Sequence, residues 1–203
     1  VVVVVGVRIS ALISITNIQD DGVRKAKMGN WWQNNPQRAL ANNSACYTRT
    51  PDIGLFMHEW KALFDSKSGE RGIFNREAAK KKVAENGRRD PEHDFGTNPC
   101  SEIILRPYQF CNLTEVVIRA TDNEDDLKRK VRIAATLGTF QSTLIDIKYL
   151  RKIWRQNTEE ERLLGVSLTG IMDNKLTIEA DEELLRSMRE VSVVTNKDLA
   201  KKL

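Results

Sequence analysis

Short β-rich runs alternate with helical stretches along the whole chain, and this alternation restricts the fold more than any other feature. A strand that rejoins its sheet after a helix pairs in parallel, because the crossover carries the chain back to its starting end. The class predicted is therefore α/β. Residues 1–5 and 10–15 read as two strands around a turn at Gly6, where the missing side chain permits tight geometry or close approach of a ligand. Residues 27–44 hold Gly29, Trp31, Trp32, Pro36 and several Asn, and read as mostly loop with one helical turn near residues 37–41. Asp52 stands at an N-cap position. Ile53, Phe56, Met57, Trp60, Leu63 and Phe64 then recur at helical spacing, which predicts a helix whose apolar stripe packs on the core. Residues 66–72 are turn-rich, Ile73 and Phe74 form a short strand, and residues 76–85 form a polar helix stopped near Gly87. Residues 103–105 and 113–118 are β-rich on either side of Pro107. A long helix over about residues 124–147 follows, capped by Thr121 or Asp122, then a strand at 166–168 and an amphipathic helix over 181–203.

Composition narrows the function classes. With 203 residues, 40% of them hydrophobic and 30% charged, the chain suits a globular protein with a real core. No apolar run reaches the ~18–20 residues of a membrane span, and the opening valines lack the basic flank of a signal peptide, so a cytoplasmic protein is expected. The formal charge of +4 is mild. Its partial concentration in Lys80, Lys81, Lys82, Arg88 and Arg89 reads as a solvated helix end that helps attract phosphates; it lacks the interleaved aromatics of a nucleic-acid surface. Three cysteines without CxxC spacing argue against a disulfide framework. Together with His58 and His93 they match no structural zinc pattern, so no metal site is expected. The chain opens inside a strand pattern and closes inside a helical one, and both ends read as cuts.

The segment richest in chemistry is Thr97-Asn98-Pro99-Cys100-Ser101-Glu102-Ile103. Pro99 biases Asn98 away from helical geometry, and in an extended peptide alternate side chains share a face. Asn98, Cys100 and Glu102 would then present an amide, a thiol and a carboxylate to one small ligand, with Glu102 as a general base and Asn98 as a two-way hydrogen-bonding group. Taken alone, a lone cysteine is more often a buried structural residue. Residues 66–72 have the look of a phosphate loop but lack the Gly-Lys-Ser/Thr ending, and carry no nucleotide role from spacing.

Asn98-Pro99-Cys100-Ser101-Glu102 followed by Phe110-Cys111-Asn112-Leu113 resembles the radical-bearing loop and following strand of ribonucleotide reductase catalytic subunits, and Pro99 resembles the adenosylcobalamin-dependent class. Gly6-Val7-Arg8, Gly29-Asn30-Trp31-Trp32, Asn42-Asn43-Ser44, residues 66–76 and residues 165–173 extend the resemblance over nearly the whole chain. It implies that residues 1–203 are the central part of a ten-stranded α/β barrel, incomplete at both ends. It implies a thiyl radical on Cys100, generated with adenosylcobalamin, with Glu102 taking the 3′-hydroxyl proton and Asn98 holding the sugar. Cys111 would be half of a redox-active pair whose partner lies upstream, while Cys46 does not match that partner's context and reads as a small buried residue. Gly6, Val7 and Arg8 would relay the identity of a nucleotide effector, although Ile9 stands where a second basic residue is usual. The partners implied are a ribonucleotide substrate, a nucleotide effector and a thioredoxin-like dithiol reductant. The isolated piece is expected to be inactive and prone to self-association. The alternatives are a non-catalytic remnant and the metal-radical class, which generally has another residue in place of Pro99.

Overall fold

The computed structural model describes residues 12–67, 71–98, 102–179 and 182–203. They form two compact units, one up to Pro107 and one from Tyr108 to Leu203. The predicted strand at residues 1–5 and the turn at Gly6 lie outside the described residues.

The first unit holds β1 (Leu12–Asn17), α1 (Asp21–Arg24), α2 (Trp31–Asn34), a 3-10 turn (Pro36–Leu40), β2 (Ala41–Tyr47), α3 (Ile53–Ser66), β3 (Gly72–Asn75), α4 (Arg76–Asn86), β4 (Gly96–Thr97) and β5 (Ile104–Leu105). Strands β1, β2 and β3 form one sheet in that order, parallel throughout, with Leu12 opposite Ala41 and Ser44 opposite Gly72. The crossover logic of the sequence therefore holds. The loop expected over residues 27–44 does not, because β2 begins at Ala41 and occupies the middle of the sheet. Asn42, Asn43 and Ser44 are poor strand formers by propensity, but a central strand has its backbone bonded on both sides, and that ladder overrides propensity.

Asp52 caps α3 as predicted, its carboxylate accepting from the Gly54 and Leu55 amides at 2.9 and 3.1 Å. The apolar stripe expected to pack on the core does not. Ile53, Met57, Trp60 and Phe64 are exposed, and the buried residue of this helix is Glu59, 2% exposed. Residues three and four apart share a helix face, so Phe56, Glu59 and Leu63 point inward together and the larger apolar residues rotate outward. The rotation has an ionic cause. Glu59 accepts from the Arg24 Nε at 2.8 Å and the Arg71 Nη2 at 2.8 Å, and both arginines are buried. A buried carboxylate keeps its charge only when paired and hydrogen-bonded, so these contacts dictate which face turns in. Helix α4 behaves as read: the Asn75 side chain accepts from the Ala78 amide at 2.9 Å, and the helix ends at Gly87 in the left-handed region.

The second unit holds β6 (Asn112–Val117), α5 (Glu124–Gln141), α6 (Lys152–Glu161), β7 (Leu164–Thr169), a 3-10 turn (Ile171–Asp173), α7 (Lys175–Ile178) and α8 (Glu182–Ala200). β6 and β7 are parallel, Asn112 opposite Leu164. α5 crosses over between them and packs on both strands and on α8, enclosing Val116, Ile118, Leu127, Val131, Ala134 and Met188. Its cap is Asn123, not Thr121 or Asp122: the Asn123 side chain accepts from the Asp126 amide at 2.9 Å, and the Asp126 carboxylate accepts from the Asn123 amide at 3.3 Å. This reciprocal box satisfies two amides that a cap at Asp122 would leave to water. The helix ends at Gln141, short of the predicted residue 147. α5 runs so close to the strands that a side chain at Gly138 would collide with Leu164 and crowd Thr114. α6 was not predicted: its ten residues hold only two large apolar ones, Ile153 and Trp154, too few to mark a helix among polar neighbours. Among the described residues no helix is long and apolar enough to cross a membrane.

Candidate active site

β4 and β5 pair antiparallel, Gly96 opposite Leu105 and Thr97 opposite Ile104, and so bring the two ends of the Asn98–Ile103 loop together. Asn98 closes it. Its backbone amide donates to the Ile103 carbonyl at 3.4 Å, and its side-chain oxygen accepts from the Ile103 amide at 3.2 Å and from the Thr97 hydroxyl at 3.4 Å. The NH2 end of Asn98 is the part of the side chain that neither Ile103 nor Thr97 engages. Glu102 is exposed beside this closure. Pro99, Cys100 and Ser101 lie outside the described residues, as do Gly6, Val7 and Arg8. The expected sharing of one face by Asn98, Cys100 and Glu102 therefore falls in part on residues not described.

The base of this hairpin is held by arginines that the sequence reading did not single out. The Arg76 Nε donates to the Phe95 carbonyl at 2.7 Å, and its Nη1 pairs with Asp94 at 2.8 Å. The Arg89 Nη1 donates to the Ile104 carbonyl at 2.9 Å while its guanidinium lies 4.8 Å above the Phe95 ring. Phe95 itself is fully buried. One signal was available: Arg76 is the first residue of α4, where the helix dipole disfavours a cation, so it needs another reason to be there.

At the carboxyl ends of β1 and β2 lies a cleft of about 480 Å³ lined by Thr16, Asn17, Cys46, Tyr47 and Arg76 among others. Open parallel sheets bind ligands at these ends. Cys46 is half-buried in β2, and burial pushes its thiol pKa up, with Arg76 opposing and Asp94 adding. Such a thiol is a poor nucleophile at neutral pH. The Arg24–Glu59–Arg71 cluster secures one wall of the cleft, because the Ile18 carbonyl after β1 accepts from both arginines, from Arg71 at 3.0 Å. Burial would raise the Glu59 pKa, but hydrogen bonds from Arg71 and Arg24 outweigh it and hold the carboxyl below its usual range.

Cys111 belongs to the second unit. It is half-buried and directly precedes β6, whose first residue is fixed by two bonds to the Leu163 carbonyl, from the Asn112 amide at 2.9 Å and its side-chain NH2 at 3.0 Å. Aromatic residues flank it: the Phe110 and Trp154 rings are 4.7 Å apart, and Tyr108 stands edge-on to Trp154 at 5.8 Å. Tyr108 adopts a left-handed backbone, φ 57°, held by a bond of 3.2 Å from the Asn157 side chain to its carbonyl. Among the described residues no group of three or more His, Cys, Asp or Glu is placed to hold a metal ion.

No family model matches the chain. It is 36% identical over 117 residues, 55% of its length, to the adenosylcobalamin-dependent ribonucleoside-triphosphate reductase of Lacticaseibacillus paracasei. The enzymes of the same name from Lactobacillus helveticus and Lactobacillus leichmannii are 29% identical over 147 residues and 31% identical over 115 residues, covering 70% and 55% of the chain. The matched stretches amount to 15–18% of these relatives' length. Over those stretches the chain is similar to adenosylcobalamin-dependent ribonucleoside-triphosphate reductases.

Proposed function

We propose that the protein carrying these residues reduces ribonucleoside triphosphates to 2′-deoxyribonucleotides, DNA precursors, by thiyl-radical chemistry at Cys100. The observation that carries this reading is the hairpin end: Asn98 closes the loop through its amide oxygen, and an exposed carboxylate, Glu102, stands beside the closure. The relatives' names specify dependence on adenosylcobalamin, which favours this class over the metal-radical one.

Glu102 is exposed next to the Asn98–Ile103 closure, so its carboxylate is accessible to a ligand, and Asn98 keeps its NH2 end clear of Ile103 and Thr97. When bound, adenosylcobalamin supplies the radical that takes the Cys100 thiol hydrogen. The Cys100 thiyl removes the ribose 3′ hydrogen, a feasible exchange because the S–H bond and a C–H bond beside an alcohol oxygen are similar in strength. Glu102 accepts the 3′-hydroxyl proton, the 2′-hydroxyl takes a proton from one thiol of the reducing pair and leaves as water, and the NH2 end of Asn98 donates to the developing carbonyl oxygen. The other thiol of the pair, made of Cys111 and its partner, gives a hydrogen atom to the 2′ carbon; the pair closes to a disulfide as its second electron reduces the 3′ ketone, Glu102 returns its proton to the 3′ oxygen, and Cys100 returns hydrogen to the 3′ carbon. A thioredoxin-like dithiol then reduces the disulfide. In this reading the strands are part of a ten-stranded α/β barrel, and Gly6, Val7 and Arg8 relay the identity of a nucleotide effector.

The test is conversion of CTP to its deoxy form, followed by chromatography, with adenosylcobalamin and a dithiol. Activity in the unsubstituted protein that disappears in Cys100→Ala supports the assignment, whereas undiminished activity in that variant removes it.

A further inference from the structure

The hairpin that carries Asn98 and Glu102 is only two residue pairs long, and a ladder of that length does not hold its own geometry in water. Something else must fix it. The ingoing strand is tied at the Phe95 carbonyl by Arg76, from the first turn of α4, and the outgoing strand is tied at the Ile104 carbonyl by Arg89, just past the end of the same helix. Between them the Phe95 ring is fully buried with the Arg89 guanidinium on its face. On the far side Gly96 passes β1 so closely that a Cβ there would sit 3.2 Å from the Ile15 Cδ1. Each strand of the hairpin thus has its own charged hydrogen bond, one to the first residue of α4 and one to the segment just after its end, and the buried Phe95 ring lies between them.

We propose that Arg76 and Arg89 are positioning residues for nucleotide reduction, setting through Phe95 and Ile104 the register in which Asn98 and Glu102 meet the substrate. This rests on the functional reading above. Neither arginine touches substrate in the proposal; each acts through the backbone carbonyl it binds. A planar guanidinium is required at position 89, where it both donates to a carbonyl and stacks on a ring, and a lysine ammonium does these two things less well together. Displacement of a reacting group by a fraction of an ångström lowers the rate of the chemical step without weakening substrate binding.

The Ile103 amide, bonded to the Asn98 side chain, reports the closure directly by hydrogen exchange. Arg89→Met in the full-length protein should speed exchange at Ile103 about 10-fold while leaving β2 amides unchanged, and lower kcat about 10-fold with KM within about twofold. Arg89→Lys should recover part of both losses, and Arg76→Gln should reproduce them from the other strand. Unchanged Ile103 exchange in both Arg89→Met and Arg76→Gln overturns the clamp. Faster exchange with unchanged kcat overturns the positioning role. If the unsubstituted protein reduces no ribonucleotide while Ile103 exchange still responds, the functional reading fails and the clamp stands as a structural device.

Discussion

The two units are assembled from the same parts, parallel strands joined by a crossover helix, yet the crossover helices α3 and α5 turn opposite kinds of group inward. α5 turns hydrocarbon inward, with Leu127 and Val131 against Val116 and Ile118. α3 turns a carboxylate inward, held between two buried arginines, and leaves Trp60 and Phe64 outside. A hydrocarbon interior is set by volume and tolerates exchange of one apolar residue for another. An ionic interior is set by direction and tolerates almost none, because removing one partner leaves a buried charge behind. The proposed radical loop belongs to the unit of α3, and the proposed reducing thiol Cys111 to the unit of α5.

The sharpest way to break that division is chemical. Cys100→Ser should leave deoxyribonucleotide formation undetectable by chromatography, since an O–H bond is too strong for the radical step. Cys111→Ser should instead allow one turnover per site at most and block the rest; steady-state turnover by this variant would take the reducing role away from the second unit. Glu102→Gln comes next, with a loss of roughly 10²–10⁴-fold in kcat and little change in substrate binding, as expected for a positioned general base. Equal losses in both would make Glu102 a structural carboxylate.

Stability separates the units by smaller amounts. Glu59→Ala strands two buried arginines and should cost about 3–5 kcal/mol, with hydrogen exchange rising across β1 to β3 and not in β6 and β7. Leu127→Ala should cost about 2–5 kcal/mol with the reverse pattern. Acid should discriminate in the same direction. The Glu59 carboxyl is held below its usual value, so its contribution is fully present above the unfolded value of about 4.3 and is lost as pH falls through the lower folded one. Asp122 is also drawn down, by Lys130 and the Arg119 amide, but it faces a single ammonium where Glu59 is held between two buried guanidiniums. On acidification the circular-dichroism and exchange signatures of the first unit should fail before those of the second. Asn123→Ala, which removes the α5 cap, should cost only about 1 kcal/mol, read as a small fall in Tm.

The same contrast explains what the sequence could disclose. In the second unit, apolar spacing in α5 and α8 and the β-rich runs of β6 and β7 announce their own burial. In the first, α3 announces the wrong face, because a periodicity count sees Trp60 and Phe64 but cannot see that Glu59 has arginines waiting 35 residues upstream and 12 downstream. β2 was hidden for a related reason, its Asn residues being paid for by strands on both sides. Asn98, Cys100, Glu102 and Cys111 could be named as candidates from a pattern of residue types in order. Arg76 and Arg89 were not, since each acts on a backbone carbonyl, and carbonyls leave no mark on a sequence.

Gly138 carries this into the history of the protein. Its missing side chain lets α5 lie against Leu164 and Thr114 at once, and Leu164 is the register partner of Asn112, the residue after Cys111. A mutation that adds a carbon there must push aside the end of the Leu164 side chain while leaving Thr114 at about contact distance, so a change on a helix with no chemistry of its own is felt first at the residue paired beside the thiol. Position 138 therefore works as a graded filter on descent: alanine is expected to be admitted wherever Leu164 can swing aside, and residues longer than alanine are expected to be excluded, because they must displace more than one side-chain end.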